Sequence, residues 1–170
     1  MSLYSKEIMK HFRNPQNVGK IEHPSGVGRV GNLRCGDIMY LYLKVGKDKK
    51  GREIIKGVKF ETFGCTVAIA NTSLLTTMIK GKSLDEAMKI TKEDLLKKFG
   101  NVPFVKIHCS MLAVDALSEA IYDYYVKSKK KIPKNLQKRH EAAEKIGKEL
   151  EKRHKVLVQI EEKIHKGRRL

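Results

Sequence analysis

The apolar pattern of this chain changes from that of strands to that of helices just after Gly64, and the change limits how the chain can fold. Residues 38–45 and 54–63 have the composition of two β-strands. A glycine-flanked turn at residues 46–51 joins them, so they are expected to pair as antiparallel strands. Beyond Gly64 the apolar side chains recur at helical spacing. The chain is therefore expected to place a small sheet ahead of most of its helices.

Glycine, proline and capping signals predict the remaining elements. A third strand is expected in the glycine-flanked segment 27–33. Five helices are expected in residues 1–128. The first, at residues 4–12, is amphipathic, and the second, from residue 66 to Gly81, is largely buried. Two short helices open with capping boxes at 83–86 and 91–94, the later of them ending at Gly100, and a long helix covers 106–127.

The last quarter of the chain differs from the rest. Residues 129–134 are mostly lysine with one proline, a composition typical of a linker. Farther on, apolar residues form a short heptad-like seam, comprising Ile146, Leu150, Leu157, Ile160 and Ile164. We therefore divide the chain into a domain at residues 1–128 and a basic linker with a helical extension at 129–170. Docking on the domain, pairing with a second copy and lying free remain open for this extension.

Composition and charge limit the environment and the partners. A chain of 170 residues with 41% hydrophobic residues can bury one core without disulfides or an obligatory metal. No apolar run approaches the length of a membrane span, so a cytoplasmic protein is expected. The formal charge of +17 is compatible with nucleic acid, an acidic partner or a lysine-rich surface. Because this charge is spread along the chain, no basic groove is implied and nucleic acid is not expected as a partner.

Three cysteines, Cys35, Cys65 and Cys109, are the candidates for chemistry. A reducing cytosol would keep them as thiols, and they are too far apart in sequence for a zinc-finger knuckle. Cys65 and Cys109 fall at predicted helix starts, where free N–H groups and the helix dipole lower the pKa of a thiol. In an extended segment, Asp37 would point to the same side as Cys35 and could share a ligand with it.

Each of these residues also has a plain structural interpretation. A lone cysteine is most often a small buried core residue, and a lone histidine such as His108 is most often a hydrogen-bonded structural group. Asp37 alone would more often serve a turn, and we expect it in an exposed loop. A metal site is favoured only because Asp37 and His108 both occur beside cysteines, in segments that contain glycine or charged residues.

The segments around the cysteines resemble the signature blocks of IscU/NifU-type iron–sulfur cluster scaffolds. The blocks are GNLRCGDIM at residues 31–39, FETFGCTVAIA at 60–70 and VKIHCSMLA at 105–113, and the opening stretch at 4–19 is similar too. The resemblance implies an α+β fold, with a small three-stranded antiparallel sheet packed with helices and the cysteines meeting at one exposed end. The extension at 129–170 has no counterpart in it.

The same resemblance implies a non-enzymatic function and a set of ligands. The chain would build a transient 2Fe-2S cluster and transfer it to apo-proteins, with Cys35, Cys65 and Cys109 as ligands. Asp37 and His108 match the family's additional metal-site positions. A 2Fe-2S cluster needs four terminal donors, so Asp37, His108 or a cysteine of a second subunit would complete the set. The cluster-free site would suit Zn²⁺ or Fe²⁺.

Partners follow from the same resemblance. Sulfur would come from a cysteine desulfurase of the IscS/NifS type, with Cys109 as the acceptor and Lys106 as a supporting group. Apo iron–sulfur proteins would receive the cluster, and a ferredoxin, a frataxin-like protein, a chaperone and a homodimer formed on cluster binding are further candidates. The run at residues 102–106 differs from the Leu-Pro-Pro-Val-Lys stretch that a dedicated chaperone grips in many relatives.

Three other functions compete with this one. A zinc-binding regulator or partner of a desulfurase would use the same residues. A cysteine-nucleophile enzyme would need a base, but His108 points about 100° away from Cys109 on a helix. An RNA-binding module would rest on the positive charge alone, without interleaved aromatic residues.

Overall fold

The computed structural model describes residues 4–32, 36–100, 102 and 107–167, and the side chains within those ranges except 32, 107–110, 150–151 and 153–167. Its elements are α1 (Lys6–Arg13), β1 (Gly26–Asn32), β2 (Asp37–Lys47), β3 (Glu53–Phe63), α2 (Thr66–Ile79), α3 (Leu84–Met88), α4 (Lys92–Phe99), α5 (Ile107–Lys127) and α6 (Lys134–Gly167). None of the helices in these ranges has the length and apolarity needed to cross a membrane.

The sheet has three antiparallel strands in the order β1-β2-β3, so the predicted α+β fold is confirmed. Alternation buries one face, with Met39, Leu41 and Leu43 of β2 beside Val58 and Phe60 of β3. A register shift between Lys44 and Val45 adds a bulge that sequence analysis did not predict. The buried face carries the helices, and the other face is left for polar side chains.

Two helices, α2 and α5, supply most of the layer against the sheet. The apolar residues of α2 are buried at Val67, Ala70, Leu75 and Ile79, as predicted for a largely buried helix. Helix α5 lies directly on β1: a Cβ atom placed on Gly28 would fall 1.9 Å from the carbonyl oxygen of Ala116. The glycines of β1 therefore allow a backbone-to-backbone approach that no side chain would permit.

The predicted capping signals of the short helices are confirmed. Ser83 and Glu86 form a reciprocal capping box on α3, and Thr91 and Asp94 form one on α4. Helix α4 ends at Gly100, whose φ of 69° favours glycine. These local signals determine where the helices begin and end.

The first part of α6 docks on the domain. Leu136 is fully buried in the main core, and Arg139 Nη1 donates a hydrogen bond to Ser118 Oγ at 3.1 Å. The His140 ring stacks on Tyr122 with centroids 3.7 Å apart, and its Nδ1 lies 2.9 Å from a carboxylate oxygen of Glu119. Of the three possibilities left open by the sequence, docking therefore applies to the proximal half of the extension.

His11 on α1 is expected to make the stability of the fold depend on pH. Its Nδ1 lies 2.7 Å from Ser73 Oγ. Burial lowers the pKa of His11 below its usual value of 6.5, with a smaller opposing effect of Glu7 and a small reinforcing one of Lys10. The folded state thus favours the neutral ring. As the pH falls below 6.5, the unfolded chain binds a proton that the folded chain resists, and the free energy of unfolding should decrease by up to about 1.4 kcal/mol per pH unit.

Urea denaturation between pH 5 and 8 measures this effect. The variant His11→Gln should show a shallower decrease below the usual histidine pKa, whereas His23→Gln, at an exposed position, should follow the unmodified chain. Parallel pH profiles for all three proteins would contradict the assignment.

Candidate metal centre

The strand register brings three of the candidate segments to one end of the sheet. The last residue of β1, Asn32, pairs with Asp37, the first residue of β2. Next to it, Ile38 pairs with Phe63, the last residue of β3, and Cys65 follows two residues later. The connection that contains Cys35 joins the paired residues Asn32 and Asp37 and lies outside the described residues. Antiparallel pairing alone therefore makes these segments neighbours.

The start of α5 reaches the same end. Gly26 of β1 approaches the carbonyl oxygen of Ala120, and Gly28 approaches that of Ala116, so the strand and the helix run antiparallel. Two residues of a strand rise about 7 Å and four residues of a helix about 6 Å, so the two elements keep in step. Continued at that rate, the end of β1 is level with the first turn of α5. That turn contains the backbone of His108 and Cys109.

Asp37 is held in place by the start of α2. One of its carboxylate oxygens, Oδ1, accepts a hydrogen bond from the backbone N–H of Cys65 at 3.3 Å. Its side chain is only 3% exposed, so the expectation of an exposed loop residue was wrong. The register explains the burial, because Asp37 is the first paired residue of the central strand and α2 begins beside it. A carboxylate and a thiol-bearing residue are thereby joined through one hydrogen bond.

Cys65 is the N-cap residue of α2 and is half-buried. Its backbone is extended and its side chain makes no capping hydrogen bond. The first turn of α2 contains no acidic residue, so the positive end of the helix dipole acts on this site without a carboxylate from the helix itself. A negatively charged thiolate is favoured at such a position.

The surroundings of Cys65 include residues that sequence analysis missed. Tyr4, ahead of α1, and Val102, ahead of α5, pack with Val67 and Ala68 in a small apolar cluster that Cys65 joins. Cys65 is thus packed against apolar groups, while its backbone N–H bonds to Asp37. No signal in the sequence places these two distant residues beside Cys65, because only the folded chain brings them together.

Two glycines, Gly36 and Gly64, lie next to Asp37 and Cys65 in the sequence. Gly36 has a φ of +68°, a backbone conformation that favours glycine. No heavy atom lies within 4 Å of the point that a Cβ atom would occupy, so crowding is not the reason for glycine here. Gly64 is crowded: a Cβ atom there would lie 3.1 Å from Ala68 Cβ and 3.4 Å from Asp37 Cγ. A side chain at position 64 would press on Ala68 and on Thr62 Oγ1 at 3.3 Å, and it would touch Asp37 at ordinary contact distance.

An apolar pair borders the site on the outer face of the sheet. Phe63 is 80% exposed, and its cross-strand partner Ile38 is exposed too. The sequence contained a signal for this pair. Strand alternation places Phe63 on the same outward-facing side of β3 as Lys59 and Glu61. An apolar residue on a polar face marks a surface that another molecule can contact.

The other predicted site residues are placed only in part. Cys35 and Lys106 lie outside the described residues, and for His108 and Cys109 the structure describes the backbone alone. Among the side chains it does describe, no three histidine, cysteine or carboxylate groups lie close enough to hold a metal ion. Asp37 and Cys65 are thus the two predicted ligands whose side-chain environment is known.

The structure thus shows an α+β domain with a cysteine at the start of α2, a carboxylate beside it and the start of α5 at the same end. Residues 3–131 match the family described as the NifU-like N terminal domain. The chain belongs to this family. Helix α6 lies beyond the match, so it is an addition to the family domain.

Named relatives agree with this assignment. The iron-sulfur cluster assembly scaffold protein IscU 1 of Archaeoglobus fulgidus is 51% identical over 128 residues, which cover 75% of this chain and 80% of that one. The Drosophila melanogaster protein named iron-sulfur cluster assembly enzyme IscU is 46% identical over 135 residues, covering 78% and 84%.

A solved structure shows a similar fold. The structure titled as a putative iron-sulfur cluster assembly scaffold protein for the SUF system, from Fervidobacterium islandicum, superposes with a TM-score of 0.56. It is 28% identical and covers 70% of this chain and 96% of that one. About seven tenths of this chain thus corresponds to nearly all of that chain.

Proposed function

We propose that this chain is a scaffold on which an iron–sulfur cluster is assembled and from which it passes to apo-proteins. The observation that carries the proposal is the hydrogen bond from the N–H of Cys65 to Asp37, at the end of the sheet where β1 stops and α5 starts. The names of the relatives support the same function. The cluster is cargo, and the protein performs no turnover of its own.

The proposed ligands are the thiolates of Cys35, Cys65 and Cys109, which suit a 2Fe-2S cluster. The fourth terminal donor would be Asp37, His108 or a cysteine of a second copy. Asp37 already lies beside Cys65, and binding a metal would exchange its hydrogen bond with the backbone N–H of Cys65 for a metal bond. An oxygen donor exchanges more readily than a fourth thiolate, which favours release of the cluster. Before a cluster forms, the same groups would hold Zn²⁺ or Fe²⁺.

The proposed sulfur source is a cysteine desulfurase, with Cys109 as the acceptor thiol. The backbone of Cys109 lies in the first turn of α5, where the helix dipole favours a thiolate, and Lys106 precedes that turn. Recipients would be apo iron–sulfur proteins, and a ferredoxin, a frataxin-like protein or a chaperone would assist. These steps suit the cytoplasm or an equivalent reducing compartment. Mass spectrometry after desulfurase treatment would locate the persulfide.

An anaerobic reconstitution tests the proposed function. The full chain, freed of metal, is incubated with ferrous iron, cysteine, a cysteine desulfurase and a thiol reductant that converts the persulfide sulfur to sulfide, and its visible absorption is recorded. We expect 2Fe-2S bands that transfer to an apo-ferredoxin, and no bands when the desulfurase is omitted. A colourless protein with iron and sulfide in excess would contradict the proposal.

Removal of the Asp37 carboxylate is expected to slow cluster transfer. Asp37→Asn keeps an oxygen that can accept the hydrogen bond from the N–H of Cys65. It loses the carboxylate charge that competes with the cysteine thiolates for iron, so the cluster should persist longer. Asp37→Ala should do the same, but it also leaves the buried N–H without this acceptor and should cost about 1–3 kcal/mol of stability.

A transfer time course to apo-ferredoxin, with all proteins loaded to equal iron content, measures this effect. Asp123→Asn serves as the control, since that carboxylate lies on α5 and pairs with Lys127. Equal or faster transfer from both Asp37 variants would leave His108 as the better candidate for the release group.

A further inference from the structure

Three segments that are far apart in sequence meet at the end of the sheet opposite the candidate metal centre. They are the turn between β2 and β3, the connection after α2, and the connection between α5 and α6. The N–H of Ile55 donates to the carbonyl of Lys82 at 2.9 Å, and the N–H of Gly81 donates to the carbonyl of Ile55 at 2.8 Å. Lys130 forms an ion pair with Glu53 at the start of β3. The three segments thus form one continuous surface.

This surface, which we call the basic pole, is rich in exposed cations. Its cationic residues are Lys47, Lys49, Lys50, Arg52, Lys80, Lys82, Lys129, Lys130 and Lys131, all of them exposed. Its carboxylates are fewer, comprising Asp48, Glu53, Asp85 and Glu86. Ion pairs within the described residues engage only Arg52, with Asp48, and Lys130, with Glu53. Most of the positive charge therefore faces solvent without a carboxylate in contact.

Helix stabilisation explains only part of this charge. Lys80 follows the end of α2 and Lys129 the end of α5, where a cation interacts favourably with the helix dipole. Lys47, the last residue of β2, stands opposite Glu53 in the strand pairing, so its charge has a carboxylate as a neighbour. Lys49 and Lys50 lie in the turn of the β-hairpin and follow no helix end. The excess of cations over carboxylates on this surface raises the local positive potential, which attracts an anionic ligand.

The apolar groups of the surface indicate which kind of anionic ligand fits. Protein interfaces have an apolar core, often aromatic. Few large hydrophobic side chains are exposed among the described residues. Of these, Val126 alone lies beside the basic pole, in the last turn of α5. A nucleic-acid backbone needs no apolar core, because its phosphates are bound by lysine and arginine. The composition of the pole therefore favours nucleic acid over an acidic protein.

We propose that the basic pole binds the phosphate backbone of nucleic acid without reading its sequence. Lysine ammonium groups act as point charges on phosphates. Two groups at the pole that could contact bases are already engaged, because the ring of Tyr124 lies under Lys130 and Arg52 is paired with Asp48. The pole lies at one end of the 11-residue strand β2 and Asp37 at the other, about 33 Å apart. Both ends can therefore be occupied at once. The fold gathers charge that is spread in the sequence, and the proposal therefore departs from the sequence-based expectation of no nucleic-acid partner.

Fluorescence anisotropy with a labelled single-stranded RNA of mixed sequence tests this proposal on the metal-free full chain at several salt concentrations. The variant carries Lys49→Gln, Lys50→Gln and Lys131→Gln at the pole. The charge-matched control carries Lys97→Gln, Lys98→Gln and Lys145→Gln, which are exposed positions on α4 and α6. Circular dichroism verifies that both variants are folded.

We expect the unmodified chain and the control to bind, and the pole variant to bind at least about tenfold more weakly. The slope of log K against log salt should decrease by about 2 in the pole variant, since each lost phosphate contact removes about 0.7 for a single strand. Absence of binding, or an equal loss in both variants, would overturn the proposal. Tighter binding of polyglutamate or of anionic lipid vesicles than of RNA would overturn the choice of partner.

Discussion

Replacing Gly28 with alanine is expected to leave little folded protein. The added Cβ atom would lie 1.9 Å from the carbonyl oxygen of Ala116 and 2.7 Å from the amide nitrogen of Ala120. Both are backbone atoms of α5, so a rotamer change cannot relieve the clash, and β1 and α5 would have to separate. Overpacking of this kind costs about 3 kcal/mol or more, a large part of the stability of a domain whose total is about 5–15 kcal/mol.

Guanidinium denaturation followed by circular dichroism measures this loss. Gly147→Ala is the matched control, because no heavy atom lies within 4 Å of its added Cβ and the position is inside α6. Alanine there should stabilise the helix by up to about 1 kcal/mol. A Gly28→Ala protein as stable as the unmodified chain would mean that β1 and α5 do not approach each other this closely.

Cys65→Ser is expected to abolish most cluster formation while leaving the fold intact. A serine hydroxyl is a poor replacement for a thiolate on iron, so one of three proposed cysteine ligands would be lost. The helix itself should not suffer, because serine is a favoured N-cap residue and Cys65 makes no side-chain capping bond. Loss of the cluster without loss of stability separates a ligand from a core residue.

The measurement combines the visible absorption after anaerobic reconstitution with a thermal melt of the same samples. Thr66→Ser, at the first residue of α2, is the neighbouring control and should reconstitute fully. Cys35→Ser and Cys109→Ser should each reduce the cluster yield in the same way. Normal absorption in all three cysteine variants would refute the ligand assignment.

Local sequence signals were sufficient for most of the elements. The alternation in residues 38–45 and 54–63, the capping boxes at Ser83 and Thr91 and the stop at Gly100 each involve residues a few positions apart. Such interactions depend on residues that are neighbours in the chain, so they could be predicted without the tertiary structure. The bulge at Lys44 could not, because it depends on how β2 and β3 align over their full length.

The candidate site divides in the same way. Its residue types, and their positions at the ends of elements, were determined by the sequence, and family membership follows from the same blocks. The burial of Asp37, its bond to Cys65 and the approach of Tyr4 and Val102 depend on contacts between distant segments.

What the sequence by itself determined, then, is the order of the strands and helices, where most of them begin and end, and the three cysteines as candidates for chemistry. The tertiary structure alone decided that Asp37 is buried, that the start of α6 docks through Leu136, and that dispersed lysines meet in the basic pole. The physical reason is range: helix caps and strand alternation act between neighbours in the chain, whereas burial and the summed electrostatic field depend on every segment that packing brings near.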